Sequence, residues 1–177
     1  MTTNRFLLVG SLLRPADLLS YKEQIEHRED IQYPFYDDFK GYKETETAAI
    51  KNVVAKQLEH QLPVITDGEQ GRSMWHLDFL WGLDGIERFI ADNGYSFVDH
   101  DGGHFETRKD TGIRITKPLS GKNHHYLDLY KEVKDLSDGT PVKITVWGAA
   151  HAYTELTIFN QVYGADQVYK TKEELKA

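Results

Sequence analysis

Apolar residues recur along this chain with two periods. From Tyr42 to His60, Ala49, Ile50, Val53, Val54 and Leu58 fall three or four apart with lysines and glutamates between them, which predicts an amphipathic helix. Tyr126, Leu129, Tyr130, Val133 and Leu136 repeat that spacing and end in Asp-Leu-Ser-Asp-Gly, where Gly139 is a helix stop. A short helix is expected over Ala16 to Glu26, before a tyrosine-rich, proline-containing excursion, and Asp78 to Ile90 is also read as helical. Between these lie short apolar runs that predict strands: Arg5 to Val9, closed by Gly10-Ser11; Leu62 to Ile65, ending at Asp67-Gly68; Gly112 to Lys117, stopped by Pro118; and Pro141 to Gly148. Tyr95 to Glu106, with its Asn-Gly and Asp-Gly-Gly signals, is expected to be a hairpin excursion, and Lys172 to Lys176 the opening turn of a helix.

The resulting order alternates strand and helix, which argues for a parallel α/β fold. Such a set fits a small doubly wound sheet or the first half of a TIM-type (β/α)8 barrel with a hairpin excursion. A full barrel typically needs about 250 residues, so a chain of 177 residues is not expected to close one alone. That length suits a single domain spanning residues 1–177.

Composition narrows the partners. With 28 acidic against 21 basic residues the net charge is −7, and no Lys/Arg run overrides it, so nucleic acid is not an expected partner. No apolar run is long enough for a bilayer, and Phe6 to Gly10 is too short for a secretory core; a cytoplasmic protein without membrane contact is expected. The chain has no cysteine, which removes disulfides, thiol nucleophiles and thiolate metal ligands together.

In parallel α/β folds functional groups gather at the carboxyl ends of strands. The expected rim is therefore Gly10, Ser11 and Arg14 after the first strand; Asp67, Glu69, Arg72 and Trp75 after the second; Lys117 after the third; Trp147 and His151 after the fourth. A Gly-Ser turn offers a backbone N–H and a hydroxyl to a carboxylate, while Glu69 accepts from an ammonium; together they suit the two ends of a free amino acid. The competing reading is a plain turn beside a solvated acid, with Trp75, Phe79 and Trp81 as core. His100 and His104, and the pair His124-His125, lack the three or four convergent ligands that zinc requires, so no metal site is expected.

Three segments, VGSLLRP, ITDGEQGRSMWHLDFLWGLDGIE and PVKITVWG, in this order and spacing, resemble the cobalamin-independent methionine synthase family, in particular its shorter single-barrel bacterial members. The resemblance implies zinc-dependent methyl transfer from 5-methyltetrahydrofolate to homocysteine in a (β/α)8 barrel. It assigns Val9, Gly10 and Ser11 to the turn that binds the amino-acid part of homocysteine, and Glu69 to the carboxylate that meets its ammonium. Arg114, ahead of Lys117, is its candidate on the folate side. In the place of the family's folate-stacking tryptophan falls Glu155. The family's zinc ligands lie in the second half of the barrel, beyond this chain. A free thiol is mostly protonated at neutral pH, and zinc both ionises and positions it. Negligible methyl transfer is therefore expected from this polypeptide alone, with no catalytic residue assigned. Either a companion C-terminal half or a homo-oligomer is expected to cover the open sheet edges.

Overall fold

A computed structural model describes residues 7–158 and 162–176. The fold is mixed α/β with small sheets and no closed barrel among the described residues. Three helices lie where periodicity put them: α1 (Ala16–Ile25), α2 (Tyr42–Glu59) and, later in the chain, α4 (Tyr126–Leu136). Each buries its apolar stripe. Tyr126, Leu129 and Val133 of α4 pack with Ile50 and Val54 of α2 around Ile65, and Leu18 and Ile25 of α1 meet Tyr42 and Ala49 across the loop residues Ile31, Phe35 and Phe39.

Between α2 and α4 the architecture departs from the expected order. The helix expected over Asp78 to Ile90 is only one turn long, α3 (Leu77–Trp81); after Gly82 the chain turns into β1 (Asp84–Phe89). There Ile86 is buried, Glu87 exposed and Arg88 buried, a period of two rather than 3.6. The expected hairpin is present as β2 (Ser96–Val98) paired with β3 (His104–Glu106). Next comes β4 (Gly112–Ser120), which runs past Pro118 and pairs antiparallel with β1 instead of serving as a third parallel strand. Pro118 is tolerated because the register jumps from Ile86↔Ile115 to Asp84↔Ser120, so the proline falls in the irregular stretch where no ladder N–H is required. The remaining elements are α5 (Ala149–Ile158), β5 (Val162–Tyr163), parallel to β4, α6 (Ala165–Val168) and α7 (Lys172–Lys176).

The parallel strands expected from the apolar runs are much reduced. Leu62 to Ile65 and Pro141 to Gly148 meet in one parallel bridge, Ile65↔Val142, with Ile65 N–H donating to Pro141 O (2.9 Å) and Lys143 N–H to Ile65 O (3.0 Å). Of the first expected strand, Arg5 and Phe6 lie outside the described residues, and Leu7 to Val9 are not in a strand; Leu7 is 60% and Val9 83% exposed rather than buried. A strand becomes regular only along the length over which a neighbour pairs with it, and here the parallel partners do not extend.

The second core joins α3, β1 and β4 through Leu77, Leu80, Ile86, Ile113 and Ile115. Beside it Arg88 and Asp110 form an ion pair at 3.0 Å with both side chains fully buried, and Arg108 reaches the same carboxylate at 2.5 Å. This joins the start of β4 to β1 and holds the hairpin base against the body.

Candidate functional site

The segment from Thr66 to Arg72 is built almost wholly by polar contacts. Gln57 of α2 uses its side-chain amide as a surrogate strand, accepting from Thr66 N–H (3.0 Å) and donating to Thr66 O (2.8 Å). Gly68 N–H donates to Thr66 Oγ1 (3.0 Å) and Glu69 N–H to Asp67 Oδ1 (3.1 Å), which turns the chain sharply. Gly68 (φ +65°) and Glu69 (φ +56°) are both left-handed. A side chain at 68 would press on Val53 and Leu12, whereas Glu69 adopts the conformation at a cost of about 1 kcal/mol or more.

Two cations hold that conformation. Arg14 donates from Nη2 to Glu69 O (2.7 Å) and Arg72 O (3.1 Å) and from Nε to Gln70 O (3.3 Å); Lys22 Nζ donates to Gly71 O (2.6 Å) and to the Tyr42 hydroxyl (2.5 Å). Four successive carbonyls therefore face a positive charge. Burial lowers the Lys22 pKa to about 8, against the opposing pull of Asp78 and Glu46. Tyr42 passes the contact on to Glu46 Oε1 (3.0 Å), whose carboxylate sits 2.6 Å from where a Gly71 Cβ would stand. Leu12 N–H donates to Gly68 O (3.0 Å), so the segment after Gly10 is fastened to the same loop.

The result brings Ser11 to Glu69. Ser11 Oγ donates to Glu69 Oε2 (2.7 Å); Thr145 Oγ1 donates to Oε1 (2.7 Å); Arg72 Nη1 stands 3.2 Å from Oε1. Burial pushes the Glu69 pKa up, but the hydrogen bonds from Ser11 and Thr145 and the charges of Arg72 and Arg14 outweigh it and hold the carboxyl below its ordinary value. Arg72 also donates from Nη2 to Thr145 O (2.5 Å) and lies over the Tyr126 ring at 4.9 Å. These groups form the polar end of a cavity of about 330 Å³ whose other wall is aromatic, with Trp75, His76, Phe79 and Trp147.

Of the residues expected on one rim, Gly10, Ser11, Glu69, Arg72, Trp75 and Trp147 line this cavity together, and so does Val9, which the resemblance assigned to the same turn. Arg14 lies behind the loop as a support. Asp67, 3% exposed, serves the turn; burial pushes its carboxyl pKa up. His151 stacks on Trp147 (centroids 6.1 Å apart) and lines a neighbouring cavity. Arg114 and Lys117 stand elsewhere: Arg114 is exposed over the Phe89 ring, and Lys117 lines a separate groove near Tyr33 and Trp81. Two participants were not anticipated. Thr145 carries no local signal that sets it apart within Pro141 to Gly148; its place at Glu69 comes from tertiary packing. His76 has no sequence signal; burial depresses its pKa to about 4, its Nε2 is 3.8 Å from Glu155 Oε1, and its buried Nδ1 has no hydrogen-bond partner among the described residues.

His124 and His125 are engaged in packing. His124 Nε2 is 2.8 Å from Phe79 O and His125 Nε2 is 2.6 Å from the Tyr33 hydroxyl. Among the described residues no group of three or more His, Cys, Asp or Glu converges as metal ligands would, and no helix is long and apolar enough to cross a membrane.

In three-dimensional structure the chain matches a crystal structure from Listeria monocytogenes provisionally assigned as a vitamin-B12 independent methionine synthase, with 25% identity and a TM-score of 0.59, over 94% of this chain and 42% of that one. The chain is similar to the B12-independent methionine synthases. A second structure, a B12-independent methionine synthase from Shewanella sp. W3-18-1 in complex with selenomethionine, shares the fold at 18% identity and a TM-score of 0.50, over 78% of this chain and 36% of that one. By sequence it is 36% identical over 138 residues to the uncharacterized protein YxjH of Bacillus subtilis (strain 168), covering 78% of this chain, and 34% identical over 104 residues to YxjG of the same organism, covering 59%. The chain spans 33% and 26% of the length of these two relatives. No family model matches it.

Proposed function

We propose that this chain binds a zwitterionic thiol amino acid of the homocysteine type, as the N-terminal part of a cobalamin-independent methionine synthase-like machinery that moves methyl from 5-methyltetrahydrofolate to the thiol. The observation that carries the reading is the contact between Ser11 and Glu69 at the polar end of one cavity, 58 residues apart in sequence. A carboxylate has about four lone-pair sites; Ser11, Thr145 and Arg72 take three of them, and the remaining one accepts the ligand ammonium. With the Ser11 hydroxyl committed to Glu69, the backbone N–H groups of the Gly10-Ser11 turn are the donors for the ligand carboxylate. A net-neutral ligand with separated charges suits this pairing of donors and acceptor better than a simple anion or cation does.

The donor set of this chain does not fit zinc, since it has no cysteine and the described residues provide no ligand cluster. In this reading the metal and the sulfur activation belong to residues outside the chain, and the chain alone binds without turnover. The exposed apolar residues Leu7, Val9 and Val146 lie on extended segments outside any regular sheet, and in this reading they are where a companion half or a second copy docks.

Calorimetry with L-homocysteine tests the reading. The parent protein is expected to bind, and Glu69→Gln, which keeps hydrogen-bonding capacity and removes the charge, to bind at least tenfold more weakly. Absence of binding by the correctly folded parent would refute it.

A further inference from the structure

The cavity that holds Glu69 has an immediate neighbour. A second, of about 370 Å³, lies against it, and Trp75, His76 and Trp147 line both. The partition is made of rings: Trp75 and His76 have centroids 4.1 Å apart, His76 and Trp147 5.0 Å, and Trp75 and Trp147 meet edge-on at 6.2 Å. Beyond that partition the walls are Met74, Tyr95 and Phe97. The carboxyl there, Glu155, is 4% exposed and accepts from the Tyr95 hydroxyl at 2.6 Å; burial raises its pKa. A charged group has nothing to gain in such surroundings, whereas an apolar one loses water contact on entering.

The first cavity alone is large enough for an amino acid with a short side chain. A homocysteine-type ligand anchored at Ser11 and Glu69 reaches the ring partition with its sulfur and leaves the second cavity unfilled. Together the two volumes fall within the 300–1,000 Å³ typical of pockets for larger ligands. Trp75, 64% exposed, and Phe97, on a hairpin where it stacks on Phe105 at 5.3 Å, present apolar surface that such a ligand would cover. His76 adds a polar handle, because its buried Nδ1 has no partner among the described residues.

We infer that the site takes α-amino acids whose sulfur carries an aromatic or long apolar substituent, the amino-acid head in the first cavity and the substituent in the second. This rests on the amino-acid reading of the first cavity. It involves no covalent step.

The test compares L-methionine, whose substituent is a single methyl, with S-benzyl-L-homocysteine by calorimetry on the full chain. The benzyl compound is expected to bind at least tenfold more tightly. Phe97→Ala should abolish that advantage while leaving L-methionine within twofold of the parent, and Phe97→Leu, which keeps an apolar wall, should retain most of it. Equal or weaker binding of the benzyl compound by the parent, with L-methionine bound, overturns the inference and leaves the amino-acid reading standing. Failure of both ligands to bind overturns both. A benzyl advantage that survives Phe97→Ala overturns the placement of the substituent in the second cavity.

Discussion

The loop from Thr66 to Arg72 and the extended segments beside it, Leu7 to Val9 and Pro141 to Gly148, sit next to each other and are held in opposite ways. In the loop the backbone is held by Gln57, Arg14 and Lys22 and the Glu69 carboxylate by Arg72, while Asp67 Oδ2, Gln70 Oε1 and Arg72 Nε are buried without a hydrogen-bond partner among the described residues. Pro141 to Gly148 makes one parallel bridge, Val142 to Ile65, Leu7 to Val9 are in no strand, and Val9 and Val146 are largely exposed. The geometry of the candidate site therefore depends on side-chain cations more than on the sheet. A loop fastened to helices can keep its shape without an extended sheet beside it.

The contrast is sharpest if the fastening is cut. Arg72→Ala leaves the Glu69 carboxylate without its buried ion pair and Thr145 O without its donor; a loss of about 3 kcal/mol in chemical denaturation is expected. Arg14→Met removes three hydrogen bonds to loop carbonyls and should cost about 2 kcal/mol, with amino-acid affinity falling at least tenfold even in protein that remains folded at the assay temperature.

Lys22 gives a smaller, pH-resolved effect. Its folded pKa, about 8, lies below the ordinary 10.5, so between those values the unfolded chain holds the extra proton and stability is expected to rise with pH. Denaturation midpoints measured from pH 7.5 to 10.5 should show this rise, and Lys22→Met should flatten it. Glu69 acts with the same sign in the acid range. Its folded pKa is depressed below 4.5, so its contribution is complete above the unfolded value and is lost as pH falls through the folded one; Glu69→Gln should remove that acid-limb dependence.

The extended segments should barely respond. Val9→Ser and Val146→Ser are expected to shift monomer stability by no more than about 0.5 kcal/mol. If those residues cover an interface with a second copy, the same substitutions should lower the mass seen by light scattering toward that of one chain. An unchanged monomeric mass in parent and variants would leave the companion half as the partner for these edges.

The helices were legible because each carries its own periodic stripe, and α1, α2 and α4 need no distant partner to declare themselves. Ser11 and Glu69 were legible as residue types at the ends of two apolar runs, and the structure places them in contact. The strands were not, because Leu62 to Ile65 looks like a strand on its own but becomes one only when neighbours extend beside it. Asp78 to Ile90 reads as helical by composition, but antiparallel pairing with β4 makes Asp84 to Phe89 a strand; with that pairing Lys117 leaves the rim on which the parallel expectation puts it, and Arg114 stands elsewhere too. His76 and Thr145 enter through tertiary packing, which no local pattern encodes.

The close approach of Glu46 to Gly71 gives the site a genetic handle. Because the Glu46 carboxylate occupies the space that any side chain at position 71 would need, the two positions cannot drift independently. A selection for restored binding that starts from Gly71→Ala should return compensating changes in the middle of α2, at position 46, far from any atom the ligand touches.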